Sequence, residues 1–131
     1  PRNTKWGIGN RSCGFRIPSI EEQSMRIENR ISGSDTNPYL VFAANLAAGY
    51  LGIEKKIKAS DETKKSTFDD KTSSLPKNID EAIFLFEKDD DLRKIFGQKF
   101  IKTISAIRRV EYQAYLKVIS SWEREYLLLN V

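Results

Sequence analysis

The chain has 131 residues, 40% apolar and 31% charged, with a formal net charge of +4, the ordinary balance of one soluble, mildly basic domain with enough apolar material for a core. A single cysteine, Cys13, and the absence of histidine exclude an internal disulfide, a Cys/His metal site, and Ser/His/Asp or Cys/His catalysis within this chain.

The first residue is Pro1, and the opening stretch has neither an apolar h-region nor a cleavage site. The chain is therefore read as a soluble piece of a longer protein, with a reducing, cytoplasmic location. Residues 1–9 carry turn signals, Pro1, Asn3, Gly7 and Gly9, around Trp6. Residues 10–17 read as a short strand closed by Pro18, and residues 25–31 as a second, in which Met25, Ile27 and Ile31 alternate with Arg26, Glu28 and Arg30. A loop through Gly33, Asp35 and Asn37 follows.

Asn37-Pro38 has the pattern of an N-cap followed by proline at the first helical position. Residues 38–53 then read as a helix with almost no polar face, buried on most sides, whose Ala43, Ala44, Ala47, Ala48 and Gly49 allow close approach. Its apolar run is shorter than the roughly 20 residues that span a bilayer. Residues 54–75 are polar and read as a partly mobile loop. Asn78 with Glu81 resembles a capping box, followed by Ile79, Ala82, Ile83 and Phe86 at helical spacing. Leu92, Ile95 and Phe96 before Gly97 read as a short helix with a glycine stop. From Phe100 to about Leu127 the spacing of Phe100, Ile104, Ile107, Tyr115, Val118, Trp122 and Tyr126 predicts one long amphipathic helix, with Arg108, Arg109 and Glu111 off its stripe and solvated. The fold class expected is α+β: a short antiparallel strand pair followed by about four helices.

On a strand, Arg26, Glu28 and Arg30 share one face with neighbours roughly 6–7 Å apart, and Ile27 and Ile31 point to the core. A carboxylate between two guanidiniums is either a surface ion-pair ladder or a site for phosphate and a divalent metal, because arginine forks bind phosphoryl oxygens and a carboxylate holds Mg²⁺ or Mn²⁺. Arg11 and Arg16, five residues apart, would face opposite sides of a regular strand. They serve one site only if a bulge re-aims one of them, which Gly14 would tolerate. Four arginines and a glutamate on two adjacent strands call for anionic company. Cys13, with no base to partner it, reads as a small buried hydrophobe. A basic nucleic-acid module is the rival class, but there is no aromatic base-stacking pattern and the apolar helix is not basic; neither a nucleic-acid nor a membrane partner is expected.

Asn10-Arg11-Ser12-Cys13-Gly14-Phe15-Arg16-Ile17-Pro18 resembles the NRS-x-x-x-RIP segment of glutamine synthetases. Arg26-Ile27-Glu28-Asn29-Arg30 resembles the R-x-E-x-R segment that follows it in that family, and Gly33 to Leu40 the stretch that leads into its small-residue helix. The motifs occur in the family's order, strongest over residues 6–53. The resemblance implies part of the catalytic domain of an ATP-dependent ligase that makes γ-glutamyl phosphate from ATP and glutamate before an amine displaces phosphate. By it, Glu28 is a metal ligand for Mg²⁺ or Mn²⁺, Arg11 and Arg30 are catalytic arginines at the substrate and the transferring phosphoryl group, and Arg11, Arg16 and Arg26 bind ATP. It further implies homo-oligomers in stacked rings, with the strands extending a larger sheet and no activity in this piece alone. Trp6-Gly7 and the ending Ile119 to Val131 look more like the branch that uses a polyamine than like the branch that uses ammonia, although both features can equally be packing. A family member that has lost catalysis is the remaining alternative.

Overall fold

The computed structural model describes residues 3–68 and 75–128. Pro1 and Arg2, residues 69–74 of the polar loop and residues 129–131 of the C-terminal ending lie outside the described residues. The chain divides into two compact units, Pro1–Pro76 and Lys77–Val131. The content is α+β as expected, with a small sheet in the first unit and helices in both.

In the first unit, β1 (Trp6–Ile8), β2 (Phe15–Ile17) and β3 (Glu28–Asn29) form one sheet in the order β1-β2-β3. The expected antiparallel pair is β2 with β3, in the register Phe15↔Asn29 and Arg16↔Glu28. β1 was not expected and runs parallel to β2, with Trp6 opposite Phe15 and Ile8 opposite Ile17. Its glycine, Gly7, reads as a turn signal in sequence, yet it sits buried within the strand. A Cβ there would meet the Thr63 carbonyl oxygen at 2.6 Å, so glycine is what lets the 57–67 segment cross β1 closely.

The two expected strands are shorter than residues 10–17 and 25–31. Residues 10–14 turn instead of extending, because the Asn10 side-chain oxygen accepts from both the Ser12 amide and the Ser12 hydroxyl, at 3.0 and 2.7 Å, an Asx turn that offers the backbone an alternative to a ladder. Ile27 does not enter the core; it is exposed and borders a groove described below.

Helix α1 (Pro38–Glu54) starts where expected, with the Asn37 side chain accepting from the amides of Tyr39 and Leu40 and Pro38 in the first turn. Its expected burial on most sides is corrected. Only Ala47 is buried, and Tyr39, Phe42, Leu46, Tyr50 and Ile53 are exposed, Ile53 at 81%. Within this unit the sheet and α1 are not pressed together. A largely apolar groove of about 980 Å³ lies between them, lined on one side by Trp6, Phe15, Ile17 and Ile27 and on the other by Val41, Phe42, Ala48 and Gly49. Asn29 bridges to α1, its amide donating to the Asn45 side-chain oxygen at 3.0 Å.

The polar segment after α1 has no regular secondary structure over residues 57–67, but it is tied to the sheet. The Trp6 indole donates to the Ser60 carbonyl at 2.8 Å, the Thr63 amide donates to the Trp6 carbonyl at 2.9 Å, and the Asn10 amide donates to the carbonyls of Thr63 and Lys65.

The second unit holds α2 (Ile79–Lys88), α3 (Asp90–Phe96), α4 (Gln98–Tyr115) and α5 (Ser121–Tyr126). Asn78 caps α2 through the Glu81 amide, as the spacing predicts, but Glu81 takes the Lys77 amide, so the reciprocal half of the box is shifted by one residue. Gly97 ends α3 at φ +80 and ψ 149, a backbone region essentially confined to glycine. The single long helix expected from Phe100 to Leu127 is two. α4 stops at Tyr115, and α5 begins at Ser120, which forms a complete capping box with Glu123. That Ser-x-x-Glu signal was legible in the sequence and outweighs the continuing apolar spacing. Ile83 of α2 and Ile101 and Ser105 of α4 are buried. Arg109 is not merely solvated: its guanidinium donates to both carboxylate oxygens of Glu87 on α2 at 2.7 Å. Arg108 pairs with Glu111 at 2.6 Å. No described helix is long and apolar enough to cross a membrane.

Candidate active site

β2 and β3 place Arg16 and Glu28 directly opposite each other, and cross-strand partners on one face bring their side chains together. Nη1 of Arg16 donates to both carboxylate oxygens of Glu28, at 3.0 and 3.2 Å. Arg26, just before β3, reaches the same carboxylate with Nη2 at 3.8 Å while Nη1 donates to the Ser24 carbonyl at 3.2 Å. Arg30, just after β3, is anchored by its own amide, which donates to the Gly14 carbonyl at 2.8 Å. Its charge acts on Glu28 together with those of Arg16 and Arg26. The hydrogen bonds from Arg16 hold the Glu28 carboxyl below the usual carboxylate range; partial burial opposes this, and the charges of the three arginines reinforce it.

Four of the five residues expected at the site therefore converge: Arg16, Arg26, Glu28 and Arg30. Arg11 lies in the turn between β1 and β2, is exposed, and forms no ion pair among the described residues. Because it lies in a turn, the alternation of strand faces that would separate it from Arg16 does not apply.

The cluster suits an anion. The Nε groups of Arg16 and Arg30 are both buried and have no hydrogen-bond partner among the described residues. A buried donor left unmet costs about 1–3 kcal/mol, and phosphoryl oxygens are acceptors of matching geometry. The fit to a metal is partial. Among the described residues, Glu28 is the one carboxylate of the cluster, and no group of three or more potential ligands occurs. A divalent ion that takes six oxygens would draw most of its shell from elsewhere.

The sequence reading missed the framework behind these side chains. Asn3, Ser12 and Thr67 are buried polar residues hydrogen-bonded to one another around the 10–14 turn. Asn10-x-Ser12 is a recognisable turn signal; Asn3 reads in sequence only as one of several turn residues, and nothing in the sequence ties it to Thr67, 64 residues away. Cys13 beside them is fully buried, as expected.

A family profile described as "Glutamine synthetase, catalytic domain" matches residues 1–127. The chain is 32% identical over 124 residues to a glutamate–isopropylamine ligase from Pseudomonas sp, covering 92% of this chain and 27% of that protein. It is 29% identical over 130 residues to the γ-glutamylputrescine synthetase PuuA of Escherichia coli (strain K12), covering 99% and 28%. Among solved structures, one titled "Apo GmaS without ligand" superposes with a TM-score of 0.81 at 29% identity, over 98% of this chain and 30% of that one. The chain thus spans under a third of the length of the relatives it matches. With the profile covering residues 1–127 and the arginine–glutamate cluster in place on β2 and β3, the chain belongs to the glutamine synthetase family and forms part of its catalytic domain.

Proposed function

We propose that this chain supplies the phosphoryl-transfer arginines of an ATP-dependent glutamate–amine ligase whose acceptor is a polyamine. The observation that carries the reading is the Arg16–Glu28 pair flanked by Arg26 and Arg30, with two buried Nε groups that have no partner among the described residues.

In this reading the γ-carboxylate of glutamate takes the γ-phosphoryl group of ATP, ADP leaves, and the amine then attacks the acyl carbon and expels phosphate. The protein's task in such a transfer is positioning and charge neutralisation. Arg16 and Arg26 hold the ATP phosphates, and Arg30 and Arg11 hold the transferring group and the substrate carboxylate. Glu28 would be this chain's ligand to Mg²⁺ or Mn²⁺, which when bound would supply additional positive charge to the transfer. Glu28 meanwhile keeps the guanidiniums apart and oriented. A polyamine acceptor is supported by Trp6-Gly7 and by relatives named for organic amines.

The remaining carboxylates and the nucleotide-base pocket would come from the rest of a longer chain, so this piece alone would be inactive. The same remainder would extend the sheet and cover the apolar faces of the groove and α1. Assembly in stacked rings and a cytoplasmic location belong to the same proposal. The test is Glu28→Ala in the full-length protein, with γ-glutamyl phosphate trapped by hydroxylamine. Loss of trapped product by at least ~100-fold is expected; normal turnover would overturn the assignment.

A further inference from the structure

We infer that Thr67 and Asn3, remote from the arginine motifs in sequence, are positioning residues that set where Arg11, Arg16 and Arg30 stand; this rests on the ligase reading above. β1 and β2 are parallel yet joined only by residues 9–14, where parallel pairs ordinarily need a connection of a dozen or more residues. So short a return has little stability of its own and must be braced. The brace is a buried polar knot. Thr67, 6% exposed, donates its hydroxyl to the Ser12 carbonyl at 2.7 Å and its amide to the Ser12 hydroxyl at 2.9 Å. Asn3, 3% exposed, donates from Nδ2 to the Thr67 hydroxyl oxygen at 2.9 Å and to the Ser12 carbonyl at 3.4 Å. Its Oδ1 accepts from the Gly14 amide at 3.3 Å and the Lys5 amide at 3.0 Å.

The knot touches the arginines only through the backbone. Ser12 follows Arg11 directly. Gly14 lies two residues before Arg16, and its carbonyl receives the Arg30 amide at 2.8 Å. Gly14 is also packed against the knot, since a Cβ there would stand 2.1 Å from the Asn3 carbonyl oxygen. One amide side chain and one hydroxyl thus fix three guanidinium-bearing backbones. A transfer that depends on placement is sensitive to shifts of about 1 Å. In a buried site the loss of one hydroxyl leaves its partners unmet and frees the turn to relax.

The experiment compares Thr67→Val and Thr67→Ser in the full-length protein, measuring kcat, the KM for ATP and for the amine, and Tm. Valine keeps the shape and removes the hydroxyl; serine restores it. The expected result is that Thr67→Val lowers kcat on the order of 10- to 100-fold with the amine KM unchanged, and that Thr67→Ser recovers most of the loss. Asn3→Asp, which keeps an acceptor for Gly14 but removes the donor to Thr67, is expected to reproduce the Thr67→Val kinetics. If Thr67→Val lowers Tm while its folded fraction turns over at the wild-type rate, the knot is only structural and the inference fails, although the ligase reading stands. If the unmodified protein does not couple ATP cleavage to glutamate, the ligase reading fails, and this inference with it.

Discussion

Nη1 of Arg16 and the carboxylate of Glu28 face each other across the β2–β3 ladder, 3.0 Å apart. Two residues of opposite charge, 12 apart in sequence, are thereby locked into one site by strand register. A one-residue slip would send their side chains to opposite faces. The pair orients the cluster more than it stabilises the fold, since partly exposed ion pairs contribute little.

Arg16→Lys tests this division. Lysine keeps the charge but not the planar fork. The expected outcome in the full-length protein is a rise of about tenfold in the KM for ATP, the scale of one lost charge-assisted hydrogen bond, with Tm nearly unchanged. Steady-state kinetics and a thermal melt check both halves.

Gly14→Ala addresses the turn that carries these groups. The added methyl would meet the Asn3 carbonyl oxygen, a backbone atom, at 2.1 Å. Overpacking of this kind costs about 1–3 kcal/mol, so a lowered denaturation midpoint is expected. An unchanged midpoint would mean that the turn has room the structure does not show.

The second unit has an acid-sensitive tie. Hydrogen bonds from Arg109 hold the Glu87 carboxyl below its ordinary value of 4.5, with partial opposition from burial. A carboxyl depressed in the folded state contributes stability above its unfolded pKa and loses it as pH falls through the folded value. Stability should therefore decline below about pH 4.5, and Glu87→Gln should flatten that decline while lowering stability at neutral pH. Tm measured from pH 7 to pH 3 for both proteins decides it; parallel curves would count against the pair.

Ser120→Ala examines the break between α4 and α5. Ser120 and Glu123 satisfy each other's amides at 3.1 and 2.7 Å. Removal of such a cap costs about 0.5–2 kcal/mol. Faster amide hydrogen exchange over α5, with α4 unaffected, is the expected signature.

Much of this was legible in the chain because it is local. Asn37-Pro38 and Asn78 are caps read from adjacent residues, Gly97 is a stop, and Arg26 and Arg30 lie within two residues of Glu28, although β3 itself is only Glu28–Asn29. The misreadings are non-local or compete with a second signal. β1 was hidden because Gly7 looks like a turn until the Thr63 carbonyl is placed against it. The break between α4 and α5 is masked because apolar spacing continues through Tyr115 and Val118, across the cap at Ser120. The burial of α1 was overestimated because an apolar helix requires a partner, and in this unit the sheet faces it only across a groove. Asn3 and Thr67 meet over 64 residues of separation, which no periodicity encodes.

The most direct measurement of the central claim uses the full-length protein with ATP, Mg²⁺ and glutamate, following phosphate release with ammonium, putrescine and spermine in parallel. The account predicts glutamate-dependent phosphate release that is strongly stimulated by a polyamine and abolished by Glu28→Ala. No phosphate release with any amine, or release indifferent to Glu28, would contradict it.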